Sequence, residues 1–166
     1  VSHPKLKVVS MHKSCLYVIL LAFVVFLRAA NAQELVISTE AGPKVYQLSE
    51  LKSQFEIKTI RTISTWTDDE TVAYKGISLK VLLDEHKLSG TQIEISAENG
   101  YVSKIPKDMI ETFDPIVAFE ANGRPLDFSN RGPLSVIWPR SDHPVVLGET
   151  IDGMWTWYAS EIRAFD

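Results

Sequence analysis

Apolar and polar residues recur at two periods along this chain, and the period changes mark its elements. From Ser78 onward, Leu79, Leu82, Leu83 and His86 fall at i, i+3, i+4 and i+7, the spacing of one helix face. Ser78 suits the N-cap and Gly90 the C-terminal stop. Ile93, Ile95 and Ala97 then alternate with Gln92, Glu94 and Ser96, as in a half-buried strand. Asn99-Gly100 is a hairpin signal, so Tyr101 to Ile105 is expected to return antiparallel. The form repeats: Pro115 to Ala121 meets Arg124 to Phe128 through Asn122-Gly123. Leu134 to Trp138 is apolar at nearly every position, which predicts a central strand covered on both faces. Met154 to Ala164 alternates again and predicts a closing strand, with Trp155, Trp157, Ala159 and Glu161 on one face.

Earlier in the chain, Leu35 to Ser38 and Lys44 to Gln47 read as strands around the Gly42-Pro43 turn, and Ser49 caps a helical turn through Gln54. Phe55 to Trp66 predicts a long strand because β-branched residues outnumber helix formers. The stretch is rich in hydroxyls: Thr59, Thr62, Ser64 and Thr65 precede Trp66. Several strands, two hairpins and few short helices define an α+β class with a mixed β-sheet.

The first 32 residues follow a different rule. Met11, His12 and Lys13 precede a 12-residue apolar run from Leu16 to Leu27, well short of the roughly 20 residues that span a bilayer. Ala30-Asn31-Ala32 has the small-x-small pattern that signal peptidases cleave. The expectation is upstream residues 1–10, a start at Met11, a secretory signal cleaved after Ala32, and one domain over 33–166 without a transmembrane anchor. Losing Lys5, Lys7, Lys13 and Arg28 shifts the formal charge from −4 to −8. An acidic domain of this kind is a poor nucleic-acid binder. Cys15 is the single cysteine and lies in the signal, so the exported part has neither disulfide nor thiolate. A cysteine-free export domain fits a bacterial periplasm.

Local chemistry is sparse. His86 and His143 are the two histidines beyond residue 32, and no HxxxH pattern supports a metal. Asp68-Asp69-Glu70 reads as a solvated turn. No GxSxG elbow or glycine-rich phosphate loop occurs, so no catalytic residue is assigned and no metal is expected. What remains is aromatic: Trp66, Trp138, Trp155 and Trp157, together with the loop "WPRSDHP" at 138–144. Trp155 and Trp157 are read as core. Trp66 and the 138–144 loop fit core and binding site equally.

Four stretches taken in order resemble a known family. "STWTDDETVAYKGISLKVLLDEHKL", "ISAENGYVSKIPKDMI", "IVAFEANGRPLDFSNRGPLSVIWPR" and "MWTWYASEIRAF" are similar to small exported proteins that share the molybdopterin-binding oxidoreductase fold of the sulfite oxidase family. The resemblance implies that fold over about residues 55–166. It also implies a molybdenum-ligating cysteine just before the helix of "YKGISLKVLL", but Thr62, Ile63, Ser64 and Thr65 stand there and none supplies a soft sulfur ligand. Where larger members carry an arginine, Ser135 stands. No cofactor is therefore expected, and molybdopterin enters by resemblance alone.

The hydroxyl-rich strand then has two readings, the lining of a former cofactor pocket or an ordinary strand with one wet face. The expected function is a periplasmic, non-catalytic ligand-binding or sensory-accessory domain. Its partner would be a small polar or anionic ligand, or a membrane-bound sensor or redox protein. In this reading Trp66 and Trp138 form apolar walls, Tyr101 offers a hydroxyl, and Arg140, Asp142 and His143 orient the ligand beside Thr62 and Ser64. The alternative is a molybdopterin-dependent oxidoreductase or a subunit of one.

Overall fold

The computed structural model describes residues 33–63, 66–67, 70–144 and 149–166. The expected signal segment, Ser64, Thr65 and Asp68-Asp69 lie outside them. Gln33–Asp166 forms one unit of α+β class, with two open sheets and three helices among the described residues. Among the described residues, no helix is long and apolar enough to cross a membrane.

The first sheet opens with β1 (Glu34–Thr39) and β2 (Gly42–Gln47), an antiparallel hairpin. Helix α1 (Leu48–Gln54) follows. Its capping box joins Gln47 and Glu50, so Gln47 rather than Ser49 is the cap. β3 (Lys58–Thr62) and β4 (Val72–Ser78) belong to the second sheet and pair antiparallel. β3 is shorter than the expected Phe55–Trp66 strand. It buries Ile60 and Thr62 and turns Thr59 and Arg61 outward, and the Lys58 side chain is 40% exposed, so most of its polar side chains meet water.

Helix α2 (Leu79–Glu85) starts as its sequence predicts: the Ser78 side chain accepts from the Val81 N–H at 3.1 Å, and Leu79, Leu82 and Leu83 are buried. Its end differs from expectation. His86 is the C-cap, and Lys87 takes the left-handed turn at φ 51°. Gly90 serves another purpose, since its φ is 129° and a Cβ there would stand 2.8 Å from the Phe165 carbonyl oxygen. His86 is tied at both nitrogens, Nδ1 to the Leu82 carbonyl and Nε2 to the Tyr46 hydroxyl, each at 2.8 Å.

β5 (Gln92–Ala97) and β6 (Val102–Pro106) form the first predicted hairpin. Helix α3 (Lys107–Phe113) comes next. It has only Ile110 fully buried, so its seven residues give no readable period. β7 (Ile116–Ala121) turns into β8 (Arg124–Pro125), which is much shorter than the expected Arg124–Phe128. Asp127 ends the strand by capping a 3-10 turn over Phe128–Asn130. β9 (Ser135–Ile137) is buried at every position, as its sequence predicts.

The expected closing strand is two strands. β10 (Thr156–Trp157) pairs with β9 in the second sheet, while β11 (Ala159–Phe165) joins the first. Tyr158 alone connects them, at φ 60°. A register shift between Ala159 and Glu161 then resets the alternation, so Ala159 and Ile162 both point inward. The first sheet runs β2-β1-β11-β5-β6, with β11 parallel to β1; the second runs β10-β9-β7-β4-β3 with β8 on β7. One hydrophobic cluster draws on both, including Leu35, Ile95 and Ile162 from the first and Ile77, Val117 and Val136 from the second.

Candidate functional site

Where the chain leaves the second sheet for the first, a cavity of about 390 Å³ opens among aromatic rings. Its cationic member among the described residues is Arg131, set in place by local hydrogen bonding. Asp127 Oδ1 accepts from the Ser129 N–H at 2.8 Å and the Ser129 hydroxyl at 2.6 Å, and Asn130 Oδ1 accepts from the Asp127 N–H at 2.6 Å. The Ser129 hydroxyl, then the Ser129 N–H, hold the Asp127 carboxyl below the usual carboxylate range. Arg131 follows at φ 71°, and its carbonyl accepts a hydrogen bond from the Ser135 hydroxyl. Gly132 lets the chain pass, because a Cβ there would lie 2.4 Å from Leu126 Cβ.

The Arg131 guanidinium carbon sits 5.4 Å from the Trp157 ring centre and 5.9 Å from that of Trp66, within cation–π range of both. No carboxylate pairs with it among the described residues. Its charge reaches Tyr74, whose phenol is pushed up by burial and partly drawn back by Arg131. Trp155 packs on Trp157 with ring centres 5.7 Å apart. Trp155 is 2% exposed, and its Nε1 is buried without a partner among the described residues.

The opposite rim is fixed by hydroxyls. Tyr101 Oη donates to the Gly153 carbonyl at 2.6 Å. Tyr158 stacks on Phe128 at 5.7 Å and donates to its carbonyl at 3.3 Å. The acid on the wall, Asp152, already holds Arg140 through a 3.3 Å contact between Oδ1 and the guanidinium.

Trp66 and Tyr101, singled out in the sequence, thus line one cavity. The 138–144 loop is elsewhere. Trp138 is fully buried and donates from Nε1 to the Met154 carbonyl at 3.1 Å, so it is core and not a cavity wall. Arg140 reaches the cavity only through Asp152. Asp142 and His143 are exposed and lie outside the lining, with the His143 ring 5.1 Å from that of Phe113. Thr62 is fully buried: its hydroxyl donates to the Ile63 carbonyl and accepts from the Ser141 N–H, both at 3.2 Å, while Ser141 Oγ accepts from the Ile63 N–H at 3.0 Å. The hydroxyl at this strand end therefore laces β3 to the loop. Ser64 lies outside the described residues.

Sequence reasoning missed Arg131; its core reading holds for Trp155, a member of the hydrophobic cluster, while Trp157 packs against that cluster and lines the cavity as well. The Asp127-to-Asn130 capping pattern was the available signal for a formed turn that presents Arg131.

A second recess, of about 280 Å³, lies beside β1 and β11. Here Arg163 grips Glu94 through Nε at 2.7 Å and a terminal nitrogen at 2.5 Å, and the Ser38 hydroxyl donates to Glu161 at 2.7 Å. Among the described residues no cluster of three histidine, cysteine or acidic side chains could hold a metal ion. Cys15 is the sole cysteine of the chain and lies outside the described residues, and the Thr62 hydroxyl, a hard oxygen donor, is already engaged by two backbone groups. No family model matches this chain, and no curated protein matches it.

Proposed function

We propose that residues 33–166 are an exported, periplasmic ligand-binding domain on the molybdopterin-oxidoreductase type of fold, doing no redox chemistry of its own. In this reading a small polar or anionic ligand occupies the aromatic cavity, and the loaded domain reports to a membrane-bound sensor or redox partner. The observation that carries it is the cavity's make-up. Three indoles and two phenols surround one guanidinium that has no acid partner among the described residues. Ligand pockets have this character, apolar walls with a few placed polar groups, and volumes of about 300–1,000 Å³.

The test is native mass spectrometry of the full chain, exported and purified without chelators, with elemental and pterin analysis in parallel. The expected result is a folded protein of mature mass with a small co-purifying anion, lost in Trp157→Ala, and neither molybdenum nor pterin. Stoichiometric molybdenum with pterin would overturn the reading in favour of an oxidoreductase with an unusual ligand set.

A further inference from the structure

Taking the ligand-binding reading as its basis, we infer that the cavity selects a flat, apolar-bodied monocarboxylate, with Arg131 reading the carboxylate and the faces of Trp66 and Trp157 holding the body. The charge argument comes first. The chain carries a formal charge of −4, and Asp152, the one acid on the cavity wall among the described residues, is engaged by Arg140. Arg131 has no such partner among the described residues, so the cavity presents a local positive centre on an acidic protein. A cationic ligand would meet an uncompensated guanidinium and a spent carboxylate. An anion meets a planar fork of donors whose geometry matches a carboxylate.

Shape comes second. The cation–π contacts of Arg131, at 5.4 and 5.9 Å from the two indole centres, use none of its N–H groups as hydrogen-bond donors, so the fork remains available to a carboxylate. Trp66 is 51% exposed and Tyr101 42% exposed, large ring area at the mouth of the cavity. Tyr101 Oη is committed to Gly153 and Tyr158 Oη to Phe128, so both phenols offer faces more than hydroxyls. Flat rings are what such faces accept. Trp155 Nε1, buried in the same wall without a partner among the described residues, is a further donor that an acceptor would satisfy after a small shift of the ring.

Isothermal titration calorimetry of the full exported protein with cinnamate, cinnamamide, cinnamylamine and cyclohexanepropionate separates these elements. Cinnamate is expected to bind at least roughly tenfold more tightly than cinnamamide, the scale of a hydrogen bond to a charged group. Cinnamylamine and the non-planar acid should be weaker than cinnamate. Arg131→Gln should erase the preference for acid over amide with an unchanged melting temperature, and Arg131→Lys should restore part of it. Amide or amine binding as tightly as the acid would overturn the carboxylate assignment while leaving the cavity a binding site. An acid preference that survives Arg131→Gln would remove Arg131 from its role, and a non-planar acid that binds as well as cinnamate would remove the aromatic faces from theirs. If none of the four binds the folded protein at millimolar concentration, the ligand-binding reading falls as well.

Discussion

Two recesses, about 280 Å³ beside Arg163 and about 390 Å³ beside Arg131, each carry an arginine on the wall. Only the first closes its charge against an acid. Arg163 holds Glu94 by two nitrogens, and the Glu94 side chain is 10% exposed; this pair ties β11 to β5 where they meet in the first sheet. Arg131 leans instead on two indoles. The difference separates an arginine that serves the fold from one the fold leaves for something else.

The largest effect expected from challenging this contrast is at Gly90, behind the polar recess. Gly90→Ala puts a side chain where φ is 129° and the Phe165 carbonyl is 2.8 Å away; strain of this kind costs about 3 kcal/mol. Urea unfolding should show that loss, and cinnamate affinity should be unchanged. Next comes the pair of arginine truncations. Arg163→Ala strands the carboxylate of Glu94 and is expected to cost about 1–3 kcal/mol, whereas Arg131→Ala, which loses cation–π contacts and strands no buried charge, should cost less, about 0.5–1 kcal/mol. Equal losses in chemical denaturation would erase the distinction between the two recesses.

The smallest effect concerns the turn that presents Arg131. Asp127 has its carboxyl held low by Ser129, so its contribution is fully present above the ordinary carboxylate range and is lost as pH falls through the depressed value. Melting curves taken at decreasing pH should show wild type losing more stability than Asp127→Asn over that acid window. Parallel curves would remove the turn from the argument.

Local chemistry was legible in the sequence wherever it was self-contained. The Ser78 cap, the buried face of α2 and the hairpin of β5 with β6 stand as their residues predict. The single closing strand was not legible, because strict alternation from Met154 to Ala164 carries no mark of the left-handed turn at Tyr158 or the shifted register after it. The site failed for a related reason. Periodicity reports which neighbours share a face, but not which distant elements end up side by side. Trp66 and Tyr101 were chosen for their aromatic character and do share a cavity, whereas Trp138 and the charged residues after it were grouped because they adjoin in sequence. Arg131 was passed over as part of a turn, though that turn is what fixes it.

The place of β11 has a consequence for how the molecule comes into being. β11 lies between β1 and β5 in the first sheet, with Val36 registered to Glu161 and Ile95 to Ile162. A chain delivered N-terminus first therefore holds both flanks of that sheet long before it holds the middle. Such distant pairing makes assembly slow, and until it happens β1 and β5 each present an unpaired edge to any other strand nearby. A product cut short before Ala159 would lack the strand that joins β1 to β5, so the first sheet depends on residues Ala159–Phe165 for its continuity.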